Sequence, residues 1–103
     1  MAAQALLDYE NLTDLELAAH FAAKDPRAVR FVTTRNNQRL FRTAWSILKN
    51  RSEAEDVVQE TYLRALGAIA KFEGRSSLST WLTRIAINEA LTRKRAQQRR
   101  ANA

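Results

Sequence analysis

Cysteine is absent from this 103-residue chain, which excludes disulfide staples and thiolate metal ligands. The single histidine, His20, has nothing around it in the sequence with which to build a metal cluster, and reads as a structural residue. Glycine occurs twice and proline once, so there is little material for turns. Alanine, leucine, arginine, glutamate and glutamine dominate instead, and several helices joined by short loops are expected. No apolar run approaches the roughly 18 residues needed to cross a bilayer, and the N-terminus lacks the basic stretch and apolar core of a secretory leader. The expectation is a soluble, intracellular, cytoplasmic, all-α protein of one domain, with almost no claim for strands.

What is present is charge, unevenly placed. Lysine and arginine number 17 against 11 aspartates and glutamates, a formal charge of +6 that favours an anionic partner through release of counterions from a phosphate backbone. An acidic amphipathic segment, SEAEDVVQETYLRAL (residues 52–66), is followed by FEGRSSLSTWLTRIAINEALTRKRAQQRR (residues 72–100), whose end is almost purely basic.

Helix boundaries can be placed from caps and periodicity. Thr13 and Glu16 form a capping box that starts a short helix through about Ala23. Asp25 caps a second helix with Pro26 in its first position, and Val29, Val32, Leu40, Phe41, Ala44, Trp45 and Leu48 recur at helical spacing along it. The polar run over residues 33–39 predicts a break or kink in its middle. Residues 49–51 supply a turn, and Ser52 with Glu55 reads as the capping box of a third helix. On that helix Ala54, Val58, Thr61, Tyr62, Ala65 and Ile69 gather on a core side, while Asp56, Gln59, Glu60, Leu63 and Arg64 gather roughly opposite. Gly74 and the serines at 76, 77 and 79 make a loop, and a last helix is expected from about Thr80. Its core stripe is Leu82, Ile85, Ala86 and the stem of Glu89, with Arg84, Asn88, Leu91 and Arg95 along a neighbouring face. The expected architecture is a compact bundle of three main helices plus a short N-terminal one, flexible over 1–12, folded over 13–97 and fraying in a basic tail over 98–103.

Catalysis finds no footing. Asp56 and Glu60 sit one turn apart, but an exposed polar face lacks the desolvation that would tune such a pair as acid and base. There is no glycine-rich phosphate loop, no nucleophile–histidine pair and no carboxylate-rich metal loop, so no enzyme and no cofactor are expected. The outward side of the third helix mixes one apolar anchor, Leu63, with charged and hydrogen-bonding groups, which suits a protein groove or helix. Phe72, Trp81, Ser76, Ser77, Ser79 and Thr80 offer stacking planes and short polar side chains beside a basic helix, the kit that holds an unstacked base. Core filling is the alternative for both rings.

AEDVVQETYLRAL followed by FEGRSSLSTWLTRIAINEAL closely resembles conserved region two of bacterial sigma factors of the extracytoplasmic-function type, over about residues 12–97. The D-x-x-Q-E core, the short loop and the S-T-W-L start of a basic helix occur together in the right order. The resemblance implies that the third helix docks on the clamp helices of the RNA polymerase β′ subunit through Asp56, Gln59, Glu60, Leu63 and Arg64. It implies that the loop over residues 72–80, with Phe72, Ser76, Ser77, Leu78, Ser79 and Thr80, captures a base flipped from the non-template strand of the minus-ten promoter element. Trp81, Arg84, Asn88 and Thr92 would line the reading face, and basic residues near the end, Arg93 and Arg95 among them, would hold phosphates. An anti-sigma protein is a further implied partner. The loop reads Glu73-Gly74-Arg75, where the family often has arginine before the glycine and an acid after it.

The resemblance also implies a second helical domain reading the minus-thirty-five element, which makes this chain an excised domain or a truncated product. Two other classes compete. An independent duplex-binding module would need a helix-turn-helix with a shorter turn than residues 70–79 offer. A protein-interaction bundle would use the basic tail only for solubility.

Overall fold

The computed structural model describes residues 8–103. A 3-10 turn at Tyr9–Asn11 leads into α1 (Asp14–Ala22), α2 (Pro26–Leu48), α3 (Arg51–Ala68), a second 3-10 turn at Ile69–Lys71 and α4 (Leu78–Ala101). No strand occurs among the described residues, and the architecture is all-α. Of the segment expected to be flexible, residues 1–7 lie outside the described residues, and Asp8 caps the first 3-10 turn by accepting from the Glu10 N–H. At the other end α4 stays helical to Ala101, past the boundary expected at residue 97.

Side-chain caps set most helix starts. The Thr13–Glu16 box forms reciprocally, at 2.8 and 3.1 Å. Asp25 accepts from the Arg27 N–H at 3.1 Å and from the Tyr9 hydroxyl at 3.0 Å. These two donors, the backbone one first, hold its carboxyl below the usual range. Between α2 and α3 the chain departs from expectation. Lys49 turns left-handed at φ 55°, Asn50 is extended, and the Asn50 side chain accepts from the Glu53 N–H at 2.9 Å. Asn50 is therefore the cap, and the Ser52–Glu55 box does not form, because a good capping residue already stands where the chain first becomes extended.

The break expected in α2 does not occur either: the helix runs uninterrupted over Pro26–Leu48. Val32, Asn36, Leu40 and Ala44 keep one buried stripe at four-residue spacing straight through the polar run. Asn36 donates to the Val32 carbonyl at 2.8 Å, so the buried polar residue is satisfied within its own helix. Of the rest of the run only Thr33 is half-buried, the others being exposed, and no glycine or proline interrupts the backbone.

α2, α3 and α4 pack on one another as a three-helix unit, and α1 closes one end against α2 and the second 3-10 turn. The buried seam is rich in small residues: Ala44 from α2, Ala54 and Ala65 from α3, and Ala86 and Ala90 from α4, with Leu40, Val57 and Leu82 filling between them. On α3 the buried row is Ala54, Val57, Thr61 and Ala65. Val58 and Tyr62 are only half-buried, because at 100° per residue they lie at the edge of that row. The Tyr62 hydroxyl donates to Asn37 Oδ1 at 2.7 Å, and burial raises its pKa well above that of a free phenol. Trp45, one of the apolar residues recurring at helical spacing along α2, is 45% exposed. Among the described residues no helix is long and apolar enough to cross a membrane.

Candidate nucleic-acid interface

The second 3-10 turn delivers the chain to Phe72, whose N–H donates to the Ile69 carbonyl at 3.0 Å. The loop then reverses at Gly74, with φ +75°. A Cβ at that position would sit 2.9 Å from Cγ of Leu15, so both the backbone and the space require glycine. Ser77 caps α4 by accepting from the Thr80 N–H at 3.0 Å, while its own hydroxyl donates to Thr80 Oγ1 at 2.9 Å. The Leu78 N–H donates to Asp14 Oδ2 at 2.8 Å, so the first turn of α1 supplies a carboxylate to the first turn of α4.

This arrangement leaves an open hollow of about 160 Å³ lined by Lys71, Phe72, Glu73, Arg75, Ser76, Trp81 and Arg84. Phe72 and Trp81 meet edge to face, ring centres 5.5 Å apart, and form its apolar wall. Further along α4, Asn88 and Thr92 line a second hollow of about 270 Å³ together with Arg64, Ala68, Ile85 and Glu89. On α3, Asp56, Gln59, Leu63 and Arg64 are exposed and Glu60 half-buried, with Leu63 at 64% exposure standing out from the charged groups around it.

The family model described as Sigma-70 region 2 matches residues 32–100. The chain belongs to the sigma-70 region 2 family. Its relatives include the ECF RNA polymerase sigma-E factor of Haemophilus influenzae, 34% identical over 91 residues, covering 88% of this chain and 48% of that one. The ECF RNA polymerase sigma factor SigX of Bacillus subtilis is 40% identical over 62 residues, 60% of this chain and 32% of the relative. The ECF RNA polymerase sigma factor SigG of Mycobacterium tuberculosis is 56% identical over 48 residues, 47% of this chain and 13% of the relative. The chain thus spans less than half the length of each. Among solved structures, the NMR structure of an engineered region 2 of sigmaE in complex with GTAAAA is similar at a TM-score of 0.74 and 32% identity, covering 88% of this chain and 95% of that one.

Within this region 2 domain the loop and α4 residues singled out from sequence take several different places. Ser76, Trp81 and Arg84 converge on the loop hollow, and Asn88 and Thr92 on the second one. Leu78 is 3% exposed and Phe72 8%, so Leu78 is core and Phe72 shows only part of its ring; core filling accounts for most of both. Ser77 and Thr80 are engaged in the cap, and the Ser79 carbonyl accepts from the Thr83 hydroxyl at 2.7 Å. Arg95 is exposed with no carboxylate partner among the described residues.

Arg93 departs most from expectation. Its guanidinium lies against α3, 3.1 Å from Glu89 and 3.8 Å from Asp56, and so is neutralised where a free phosphate contact was expected. Glu89 also takes Arg64 at 3.0 Å, and Arg64 reaches Glu60 at 3.2 Å. The i,i+4 spacing of Glu89 and Arg93 was visible in the sequence as a pairing signal, whereas the cross-helix contacts to Asp56 and Arg64 had none.

Proposed function

We propose that this domain works as the promoter-opening adaptor of a sigma factor. The outward α3 row of Asp56, Gln59, half-buried Glu60, Leu63 and Arg64 docks on the β′ clamp helices of RNA polymerase, with Leu63 as apolar anchor inside a charged rim. The loop and the start of α4 then take a base flipped from the non-template strand of the minus-ten element. No bond is made or broken. Unstacking a base costs a few kcal/mol, and a hollow that offers it a ring wall and hydrogen-bonding groups offsets that cost.

Support comes above all from the loop hollow, which combines the Phe72–Trp81 wall with Ser76 and Arg84 in its lining. The region 2 of sigmaE to which the chain is similar was solved in complex with GTAAAA, which agrees with a single-strand ligand here. Asn88 and Thr92 read neighbouring bases, and Arg95 holds a phosphate. An anti-sigma protein would act by covering the α3 row or the α4 face.

The direct test is titration of the chain with the isolated β′ clamp-helix segment, beside Asp56→Ala and Gln59→Ala. Each variant should bind about tenfold more weakly or worse while keeping its helix content. Equal binding by both would remove α3 as the docking face. A preference for duplex over single-stranded minus-ten DNA in the presence of polymerase would instead favour a duplex-binding module.

A further inference from the structure

Positive charge in this chain is not confined to α4. α2 carries Arg27, Arg30, Arg35, Arg39 and Arg42 over 23 residues that contain no aspartate or glutamate. All five are exposed. At 100° per residue, Arg30, Thr34, Gln38 and Arg42 form the row directly opposite the Val32–Asn36–Leu40–Ala44 stripe, and Arg27, Phe31, Arg35 and Arg39 form the row beside it. This face turns away from the core that α2 shares with α3 and α4, and is separate from the surfaces assigned above.

The arginines of the α3–α4 seam are paired with carboxylates, but no carboxylate lies within ion-pairing distance of Arg30, Arg35, Arg39 or Arg42 among the described residues. Like charges one turn apart on a helix destabilise it, and no carboxylate of the described residues offsets the charge of these four. A mainly apolar hollow opens at the N-terminal end of the face, lined by Tyr9, Pro26, Phe31 and Thr34 with three arginines, Arg27, Arg30 and Arg35, against one carboxylate, Glu10. The Tyr9 and Phe31 rings lie 5.7 Å apart, and the Arg35 guanidinium sits 5.3 Å from the Phe31 ring centre.

We propose that the outward face of α2 is a second nucleic-acid track, binding the phosphate backbone of a single strand along Arg30 to Arg42, with one base taken into the Tyr9–Phe31 hollow. Twelve residues of helix between those arginines span about 18 Å, room for several phosphates. The two rows carry guanidinium, hydroxyl, amide and aromatic groups and no exposed aliphatic anchor. That composition suits bases and phosphates better than the apolar side of an acidic protein helix.

The test is anisotropy of a labelled mixed-sequence DNA strand titrated with the whole chain across a salt series. Arg30→Gln/Arg42→Gln should flatten the slope of log K against log salt by about 1.4, since each neutralised single-strand phosphate contributes about 0.7. Arg30→Lys/Arg42→Lys should restore most of it. A control that removes as much charge elsewhere, Lys24→Gln/Arg51→Gln, should leave the slope nearly unchanged. Equal slopes for the two Gln pairs would overturn the proposal, as would polyglutamate of matched charge competing as well as DNA, which would assign the face to an acidic protein. Binding to the clamp-helix segment should be unaffected by the α2 pair, so this proposal and the docking proposal can fail separately.

Discussion

The Leu78 N–H donates to Asp14 Oδ2 at 2.8 Å across 64 residues of sequence, tying the first turn of α1 to the first turn of α4. Two helix starts thereby share one carboxylate neighbourhood, and the loop between α3 and α4 is pinned at its far end by the N-terminal helix. Asp14→Ala should lower stability by about 1–2 kcal/mol, the usual cost of losing a charged acceptor on a part-buried backbone donor. Urea unfolding of this variant beside Asp8→Ala, whose cap is exposed, checks it; equal losses would show that the long-range bond contributes nothing special.

Leu15 and Gly74 should be energetically coupled. Gly74→Ala forces a Cβ onto Leu15 and an alanine into left-handed backbone, and should cost about 1–3 kcal/mol. Leu15→Ala clears the clash but leaves the backbone strain. A double-mutant cycle should therefore give a combined loss smaller than the sum of the two, by about 0.5 kcal/mol or more. Additivity would mean that Leu15 moves aside freely.

Arg93 and Arg95 are two residues apart and should behave differently. Arg95→Gln should reduce the salt dependence of single-strand binding by about 0.7 in slope, as for one lost phosphate contact. Arg93→Gln should scarcely change that slope, because the guanidinium is already neutralised by Glu89 and Asp56. It should instead cost stability, about 1 kcal/mol, by leaving Glu89, whose side chain is only 10% exposed, with one cation in place of two. The reverse pattern would return Arg93 to the phosphate contacts.

Tyr62 predicts an alkaline limit. Burial raises its folded pKa above the ordinary 10.0, so the folded state holds the phenol proton that the unfolded chain begins to release near pH 10. Its contribution is complete below pH 10 and is lost as pH rises from there toward the folded value. Tyr62→Phe should show a shallower fall in stability between pH 9 and 11.5 in a urea-melt series. Parallel curves would place the alkaline loss elsewhere, for example on Tyr9, whose pKa is also raised by burial and by Asp25.

The first two caps, the helix number and the all-α class were legible because each rests on local chemistry: Thr13 with Glu16, and Asp25 before Pro26, act within one turn of themselves. Val57, fully buried, was absent from the core side expected for α3, and Trp45 shares the helical spacing of the α2 core residues yet is exposed, because a helical wheel locates an apolar face without saying how wide a stripe two neighbouring helices cover. Asn36 was read as a weak point, since its bond to the Val32 carbonyl cannot be seen in a pattern of polar letters. At the candidate site the family resemblance pointed to the loop over residues 72–80 and to α4, whose binding roles stand as a proposal. What it could not carry was the division of labour inside them, with Leu78 in the core, Ser77 spent on a cap and Arg93 turned back toward Asp56. Those depend on the registry between α3 and α4. The basic face of α2 was legible all along, as five arginines without an acid, but the chain's charge had been ascribed to its C-terminal end.

Full burial along α4 ends at Ala90, and from Gln98 onward every residue is exposed, although the helix continues to Ala101. The molecule accordingly measures 60 × 25 × 18 Å. Such a rod rotates more slowly end over end than about its own axis, so amides aligned with the long axis should relax differently in NMR from those set across it. A ligand lying across the narrow waist would make the shape rounder and bring the two rotation rates together, which gives hydrodynamics a way to tell where on this domain a strand has settled.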